Sequence, residues 1–267
     1  MKEIKITSPE KVLFPKDKIS KLQVVEYYID IGNHMLPFVK NRLLSVIRCH
    51  ENINEEKFYK KHPTNEKHLK KFKDKDEEYF YITTLSELAM QAQMGTLEFH
   101  IWGSSVNKID SPNLMIFDLD PDEKLSLKFL RQGVIKVKEI LEEVGLKSYL
   151  KTSGGKGYHI VVPFKKNKDW KDFYDFARNV ALLAEERHPK IFTTNIKKST
   201  REGKIFIDYL RNHRGSTCVA PYSLRAREGA TISMPIDWTD LNKIKPNQIN
   251  IKNYKKYLNN SWEDLKC

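Results

Sequence analysis

The sequence predicts an α+β (mixed α/β) fold, and three observations carry that reading. Two strand-length apolar runs end in carboxylates, Leu114-Met-Ile-Phe-Asp-Leu-Asp-Pro121 and Lys204-Ile-Phe-Ile-Asp-Tyr-Leu210. From Leu114 onward the pattern alternates strand, helix, strand, with polar residues gathered at strand ends and in adjoining turns. The first hundred residues instead mix short strands with short helices, as a smaller lobe packed on that core would.

The elements follow in order. Residues 1–20 hold Thr7-Ser-Pro-Glu-Lys-Val-Leu-Phe-Pro15, too rich in proline for a long helix. Ser20 is then a fitting N-cap for a helix from Leu22 to about Leu36, in which Leu22, Val25, Tyr28, Ile29 and Gly32 keep a helical period until Pro37 ends it. Leu43–Arg48 reads as a short strand, and residues 51–78 as a polar, strongly charged segment containing Phe58-Tyr59. Tyr79–Ile82 and Leu97–Trp102 read as strands either side of a helix near Leu85–Gln93. Beyond the first acidic run come a helix near Lys128–Val144 closed by Gly145, a strand Lys147–Thr152, a glycine turn at 153–157 and a strand His159–Phe164. A helix at about Lys171–Glu186 precedes the strand ending at Asp208. The stretch Asn242–Lys256 is rich in Lys and Asn and is expected to be a mobile or surface segment.

At 267 residues the chain can bury a substantial core, as one domain of two lobes or two closely joined domains. Its formal charge of +12, from 47 Lys and Arg against 35 Asp and Glu, favours a polyanionic partner. Cys49, Cys218 and Cys267 are widely spaced and show no CxxC pairing, so neither a disulfide framework nor a thiolate zinc site is indicated. The N-terminus opens on alternating charge, and no apolar stretch approaches the roughly 20 residues needed to span a bilayer. The expectation is a soluble intracellular protein with no membrane partner.

Carboxylates spaced i, i+2 on an extended strand point to one side. Asp118 and Asp120 can therefore share a metal cluster if a neighbouring strand brings in Asp208, and such oxygen ligands suit Mg²⁺ or Mn²⁺. A strand-end Asp that caps a helix or a loop is the plainer alternative. Asp122 is a decoy, because Pro121 interrupts the strand that would carry it to the same face. Ser153-Gly-Gly-Lys-Gly-Tyr-His159 does not match Walker A, yet successive backbone N–H groups, the Ser153 hydroxyl and the Lys156 ammonium can surround phosphate oxygens. A flexible hairpin is the competing reading. His159 and His100 can donate to a triphosphate or sugar oxygen, and Arg201 and Arg225, if they project inward, can neutralise its charge. In the first lobe Lys11, Lys16, Lys18 and Lys21 cluster around a turn, while Phe58-Tyr59 beside Lys60-Lys-His62 suits base stacking or burial against the other lobe.

Four motifs together closely resemble the polymerase domain of bacterial DNA ligase D, within the archaeo-eukaryotic primase (primase-polymerase) superfamily. They are Phe117-Asp-Leu-Asp-Pro121, Ser153-Gly-Gly-Lys-Gly-Tyr-His159, Ile207-Asp-Tyr-Leu210 and Val219-Ala-Pro-Tyr-Ser-Leu-Arg-Ala-Arg227. The likeness runs from Lys11-Val-Leu-Phe-Pro15 to Pro235-Ile-Asp-Trp238. It implies a primase-polymerase catalytic core of antiparallel and mixed sheets flanked by helices. One domain over 1–241 would comprise an N-terminal DNA-binding lobe (1–100) and a catalytic core (101–241), followed by a basic segment (242–267).

The resemblance further implies a two-metal site at Asp118, Asp120 and Asp208, and nucleotide contacts from His100, Ser153, Lys156, His159, Arg201 and Arg225. It places Lys11 and Lys21 at a DNA 5′-phosphate, with Ser8 standing where an asparagine is usual, and Phe58-Tyr59 near a template base, with Tyr59 in place of a second phenylalanine. The implied reaction is template-directed addition of nucleotides, ribonucleoside triphosphates often preferred, to a primer 3′-hydroxyl during nonhomologous end joining. Gapped or 3′-overhanging duplex DNA, NTP or dNTP, Ku and an ATP-dependent ligase are the implied partners, in a nucleoid-associated, cytoplasmic setting. The length leaves no room for a ligase core beside these lobes, which makes the chain a free-standing polymerase or a piece of a longer ligase. A primer-independent primase, a nonenzymatic DNA-end bridging protein and, lower, a metal-dependent nuclease are the competing functions.

Overall fold

The computed structural model describes residues 4–63, 69–164, 168–258, 262, 264 and 265. Cys267 and residues 64–68 of the charged segment lie outside them. The elements in chain order are β1 (Val12–Phe14), β2 (Ile19–Ser20), α1 (Lys21–Asp30), α2 (Gly32–Val39), β3 (Leu44–Cys49), β4 (Lys57–Lys60), β5 (Lys70–Asp74), β6 (Glu77–Tyr81), α3 (Leu85–Gln93) and β7 (Thr96–Trp102). Then come β8 (Leu114–Pro121), α4 (Leu127–Glu143), β9 (Tyr149–Thr152), β10 (Tyr158–Pro163), α5 (Trp170–Arg187), β11 (Phe192–Thr193), β12 (Ile205–Asp208), β13 (Thr217–Val219) and β14 (Pro235–Ile236).

Ser20 caps as read. Its hydroxyl accepts from Gln23 N while the Gln23 side chain accepts from Ser20 N, a reciprocal capping box. The single helix expected to run to Leu36 is corrected: α1 stops at Asp30, Ile31 joins the two pieces, and Pro37 lies inside α2 rather than at its end. The joint brings Gly32 against Leu85 of α3, so close that an added Cβ would stand 2.9 Å from its Cδ2. Packing between helices, which the helical period of one segment does not encode, sets the break.

Two sheets build the core. The larger has the order β11-β12-β8-β10-β9-β14, antiparallel except for β11 with β12. The smaller has the order β13-β7-β3-β4. On one face of the larger sheet α4 presents Leu130, Val134, Val137 and Leu141, a stripe at helical spacing whose members are each buried. Each contributes about 1.5–3 kcal/mol by burial. Gly133 lets α4 come down on the strands, since a Cβ there would meet Ile205 Cδ1 at 2.4 Å. Ile205 and Asp208 are three apart on β12 and so face opposite sides. The helices therefore cover the face away from Asp208, and the carboxylate face is left to line a cleft.

Within the described part of the charged segment β4 pairs with β3, and β5 with β6 forms a separate hairpin. Arg214 ties that hairpin to the body through Asp74 at 2.7 and 3.0 Å. The stretch Asn242–Lys256 keeps most of its Lys and Asn side chains at the surface, as expected, and its apolar residues anchor it. Ile244, Ile249 and Tyr254 are buried, Ile249 O accepts from Ile232 N at 2.9 Å, and Pro246 O accepts from Gly154 N at 3.1 Å. Its apolar residues are spaced too irregularly to signal this from sequence. No helix among the described residues is long and apolar enough to cross a membrane.

Candidate active site

Strand register assembles the site. Asp118 on β8 is the cross-strand partner of Asp208 on β12 and, on its other side, of His159 on β10; His159 in turn pairs with Lys151 on β9. One row across the sheet thus reads Asp208, Asp118, His159, Lys151, all on the face opposite α4. Asp120, two residues along, shares that face and neighbours Phe206. The smaller sheet supplies the facing wall with His100, Thr217 and Val219, and a cleft of about 300 Å³ opens between them, lined also by Ser153, Lys156, Cys218, Arg211, Arg225 and Arg227. Asp118 and Asp120 line it directly. Asp208 sits just behind, 8 % exposed.

Two of the carboxylates meet basic side chains. His159 Nε2 lies 3.2 Å from Asp118 Oδ1 and Arg211 Nε lies 3.0 Å from Asp208 Oδ2. Burial alone pushes Asp118 up; the His159 charge and hydrogen bond, then Arg211 and Lys151, outweigh it and hold the carboxyl at about 2. Asp120 is raised by burial and then by the charge of Asp118, to which Asp208 adds against the pull of His159. Asp208 is raised by burial, with Arg211 opposing. Burial lowers the His159 pKa and Lys151 adds to that, but the charge and hydrogen bond of Asp118, with Cys218, together raise it above the ordinary value.

The glycine turn differs from its expected form. Ser153 Oγ accepts from Gly155 N at 3.0 Å and Gly157 N at 3.2 Å, while Ser153 N donates to Gly157 O and Gly154 N to Pro246 O. Four of the five backbone donors that were expected to cradle phosphate are thus engaged within the protein, leaving side chains to do most of that work. Gly154 holds φ of +67°, and a Cβ on Gly157 would stand 2.0 Å from Leu119 O, so neither position admits a side chain without displacement. Lys156 at the rim pairs with Glu123.

Arg225 is fixed by Glu98, whose Oε2 takes its Nε at 3.0 Å, and by Ser153 O, which takes Nη1 at 2.5 Å. Glu98 also accepts from Ala226 N at 2.7 Å and meets His100 Nε2 at 2.9 Å. Burial pushes Glu98 up, but His100, Arg225 and that backbone N–H bring it down to about 2. His100 itself is lowered by burial in spite of Glu98. Arg201 is outside the cleft lining but stands on the carboxylate side, where its charge acts to lower the pKa of Asp120 and Asp208. It stacks 3.5 Å over Phe206 and donates to Asn195 O and Ile196 O.

Of the residues expected at DNA, Ser8, Lys11 and Lys21 stand apart from the cleft lining, and Tyr59 touches its edge. Lys11 and Lys21 are joined by Lys21 N to Lys11 O at 2.7 Å, with Ser8 in the same turn at φ of +50°. Lys21 Nζ donates to Thr7 O at 2.7 Å, and Lys11 pairs with Glu51 at 2.8 Å. Phe58 and Tyr59 are 40 and 60 % exposed, which decides against burial between lobes. The Tyr59 hydroxyl meets Thr217 Oγ1 at 3.2 Å. Asp122 turns away to accept from Lys124 N. Sequence reasoning missed Glu98, Lys151 and Thr217 as members of the site; the signal for the first two was a charged residue within a strand, flanked by Leu and Phe or by Leu and Thr.

For a metal the donor set is right in kind: three carboxylates on one face, with Asp120 held up partly by like charge that a cation would relieve. Among the described residues no group of three or more His, Cys, Asp or Glu side chains stands in ligating geometry. Asp118 instead meets His159, and Asp208 meets Arg211.

Two sheets walling a cleft with carboxylates on one side and cations around it define an α/β nucleotidyltransferase-like core. The chain belongs to the LigD primase-polymerase domain family, whose model matches residues 20–265. It is 33 % identical over 256 residues to the multifunctional non-homologous end joining protein LigD of Pseudomonas aeruginosa, covering 93 % of this chain and 30 % of that protein. It is 28 % identical over 242 residues to the bifunctional non-homologous end joining protein LigD of Bacillus subtilis, covering 90 and 39 %. The chain spans about a third of the length of these relatives. The solved polymerase domain of Mycobacterium tuberculosis ligase D, in complex with DNA, superposes with a TM-score of 0.87 at 25 % identity, over 94 % of this chain and 93 % of that one.

Proposed function

We propose that the chain is a DNA repair polymerase of nonhomologous end joining, transferring nucleotides from NTP or dNTP to a primer 3′-hydroxyl at gaps and broken ends. The observation that carries it is the transverse row Asp208, Asp118, His159, with Asp120 beside it, opening on a cleft ringed by His100, Ser153, Lys156, Arg225 and Arg227. Asp118, Asp120 and Asp208 would hold Mn²⁺ or Mg²⁺, which when bound acidifies the attacking hydroxyl and neutralises phosphate charge. Arg225, braced by Glu98 and Ser153 O, and Lys156, released from Glu123, would hold the triphosphate, with the Ser153 hydroxyl and His100 as further donors, while His159 joins them only by turning its Nε2 from Asp118. Arg201 enters this set only by leaving its stack on Phe206.

Gapped or 3′-overhanging duplex would lie across both lobes, its 5′-phosphate at Ser8, Lys11 and Lys21 and a template base on Phe58 and Tyr59. Ribonucleotide preference, Ku and an ATP-dependent ligase as partners, and a nucleoid location complete the proposal. The test is primer extension on a short 5′-phosphorylated gap, with ribo- and deoxyribonucleotides in separate Mg²⁺ and Mn²⁺ reactions. Extension by the natural chain and its loss in Asp118→Ala plus Asp120→Ala, with DNA affinity kept, is expected; metal-dependent extension by the pure double variant would remove the catalytic assignment.

A further inference from the structure

Lys151 lies in the middle of β9, 1 % exposed. Lysine is rarely found so deep unless its ammonium is hydrogen-bonded on every side. Its Nζ meets Ser233 Oγ at 2.6 Å and His159 Nδ1 at 2.8 Å. The Ser233 hydroxyl spends its own hydrogen on Thr152 O at 2.9 Å, so it receives one from Nζ. An ammonium has three donors and no acceptor. With Lys151 as the ammonium, Nδ1 faces it with a lone pair, Cys218 Sγ standing farther off at 3.4 Å from the same nitrogen, and the imidazole hydrogen then belongs to Nε2, the nitrogen 3.2 Å from Asp118 Oδ1. The arrangement is fixed by the main chain, because Lys151 and His159 are direct cross-strand partners and so are His159 and Asp118.

We propose that Lys151 is a positioning residue for nucleotidyl transfer: by donating to Nδ1 it fixes the ring orientation and tautomer of His159, whose Nε2–H in turn orients the Asp118 carboxylate. The inference rests on the polymerase reading for its effect on activity. Its structural half does not. Outer hydrogen-bond partners that orient a histidine in this way commonly change activity by about 10- to 100-fold when removed.

The test has two arms. In the natural chain labelled with ¹⁵N-histidine, with His159→Asn used to identify the signal, the ring nitrogens of His159 are expected to show a bare Nδ1 and a protonated Nε2 at neutral pH. A hydrogen on Nδ1 overturns the proposal, and this measurement stands even if substitutions at Lys151 fail to fold. In primer extension, Lys151→Met is expected to lower kcat about 10-fold or more while the nucleotide KM stays within about threefold. The double variant with His159→Asn is expected to be no slower than His159→Asn alone; losses that multiply would show that Lys151 acts other than through His159. A natural chain that extends no primer would refute the proposed function, while the nitrogen spectrum would still decide the hydrogen-bond assignment.

Discussion

Glu98 makes the pH dependence of stability calculable. Its carboxylate is 4 % exposed and accepts from Arg225, His100 and Ala226 N. Its pKa falls from an ordinary 4.5 to about 2 although burial acts in the opposite direction. A carboxylate whose folded pKa is depressed stabilises the fold above its unfolded value, and that contribution is lost as pH falls through the folded value. The difference of about 2.5 pH units corresponds to roughly 3 kcal/mol at neutral pH, of which about half remains at pH 3. Replacing Glu98 by Gln removes the charge while keeping the shape, and leaves the Arg225 guanidinium without its counter-ion. Urea unfolding of both proteins from pH 7 to pH 3 is the assay. The variant is expected to be less stable by about 3 kcal/mol at pH 7, with the gap narrowing to about half on acidification. A gap below about 0.5 kcal/mol, or one that does not change with pH, would refute the assignment of Glu98 as an ionised anchor.

Two further outcomes concern the glycine turn and the turn that holds Ser8, Lys11 and Lys21. Gly157→Ala places a Cβ 2.0 Å from Leu119 O on the strand that carries Asp118 and Asp120, so the turn and strand must separate. A loss of about 1–3 kcal/mol in unfolding free energy, with extension reduced about 100-fold by misplacement, is expected; a variant of natural stability and rate would show that the turn has slack. Lys21→Met removes the amine now held by Thr7, and fluorescence titration of gapped duplexes with and without a 5′-phosphate should show the preference for phosphate falling roughly tenfold. Equal affinity of the natural chain for both duplexes would dispose of that pocket.

Local chemistry made much of this protein legible in advance. The Leu85–Gln93 helix, the helix closed by Gly145 and the two acidic strands follow from period, caps and turn residues, and they stand where their sequences place them. Asp118, Asp120 and Asp208 could be paired in advance because strand alternation is a local rule and only their adjacency needed the fold. What stayed hidden depends on register between distant strands. Lys151 and Glu98 look like stray charges until β10 and the loop after β13 bring them partners. The break between α1 and α2 and the anchoring of residues 242–258 likewise come from contacts that no periodicity announces.

The bond from Gly154 N to Pro246 O has a practical side. Everything with recognisable chemistry ends by Trp238, so a biochemist trimming a longer polypeptide would be tempted to cut there. Such a fragment would keep every acidic and basic side chain of the cleft and yet lose the brace beneath the glycine turn, together with the main-chain link from Ile232 to Ile249. Its carboxylates would be present in a floor with nothing behind it, and a negative assay on that fragment would say more about the cut than about the enzyme.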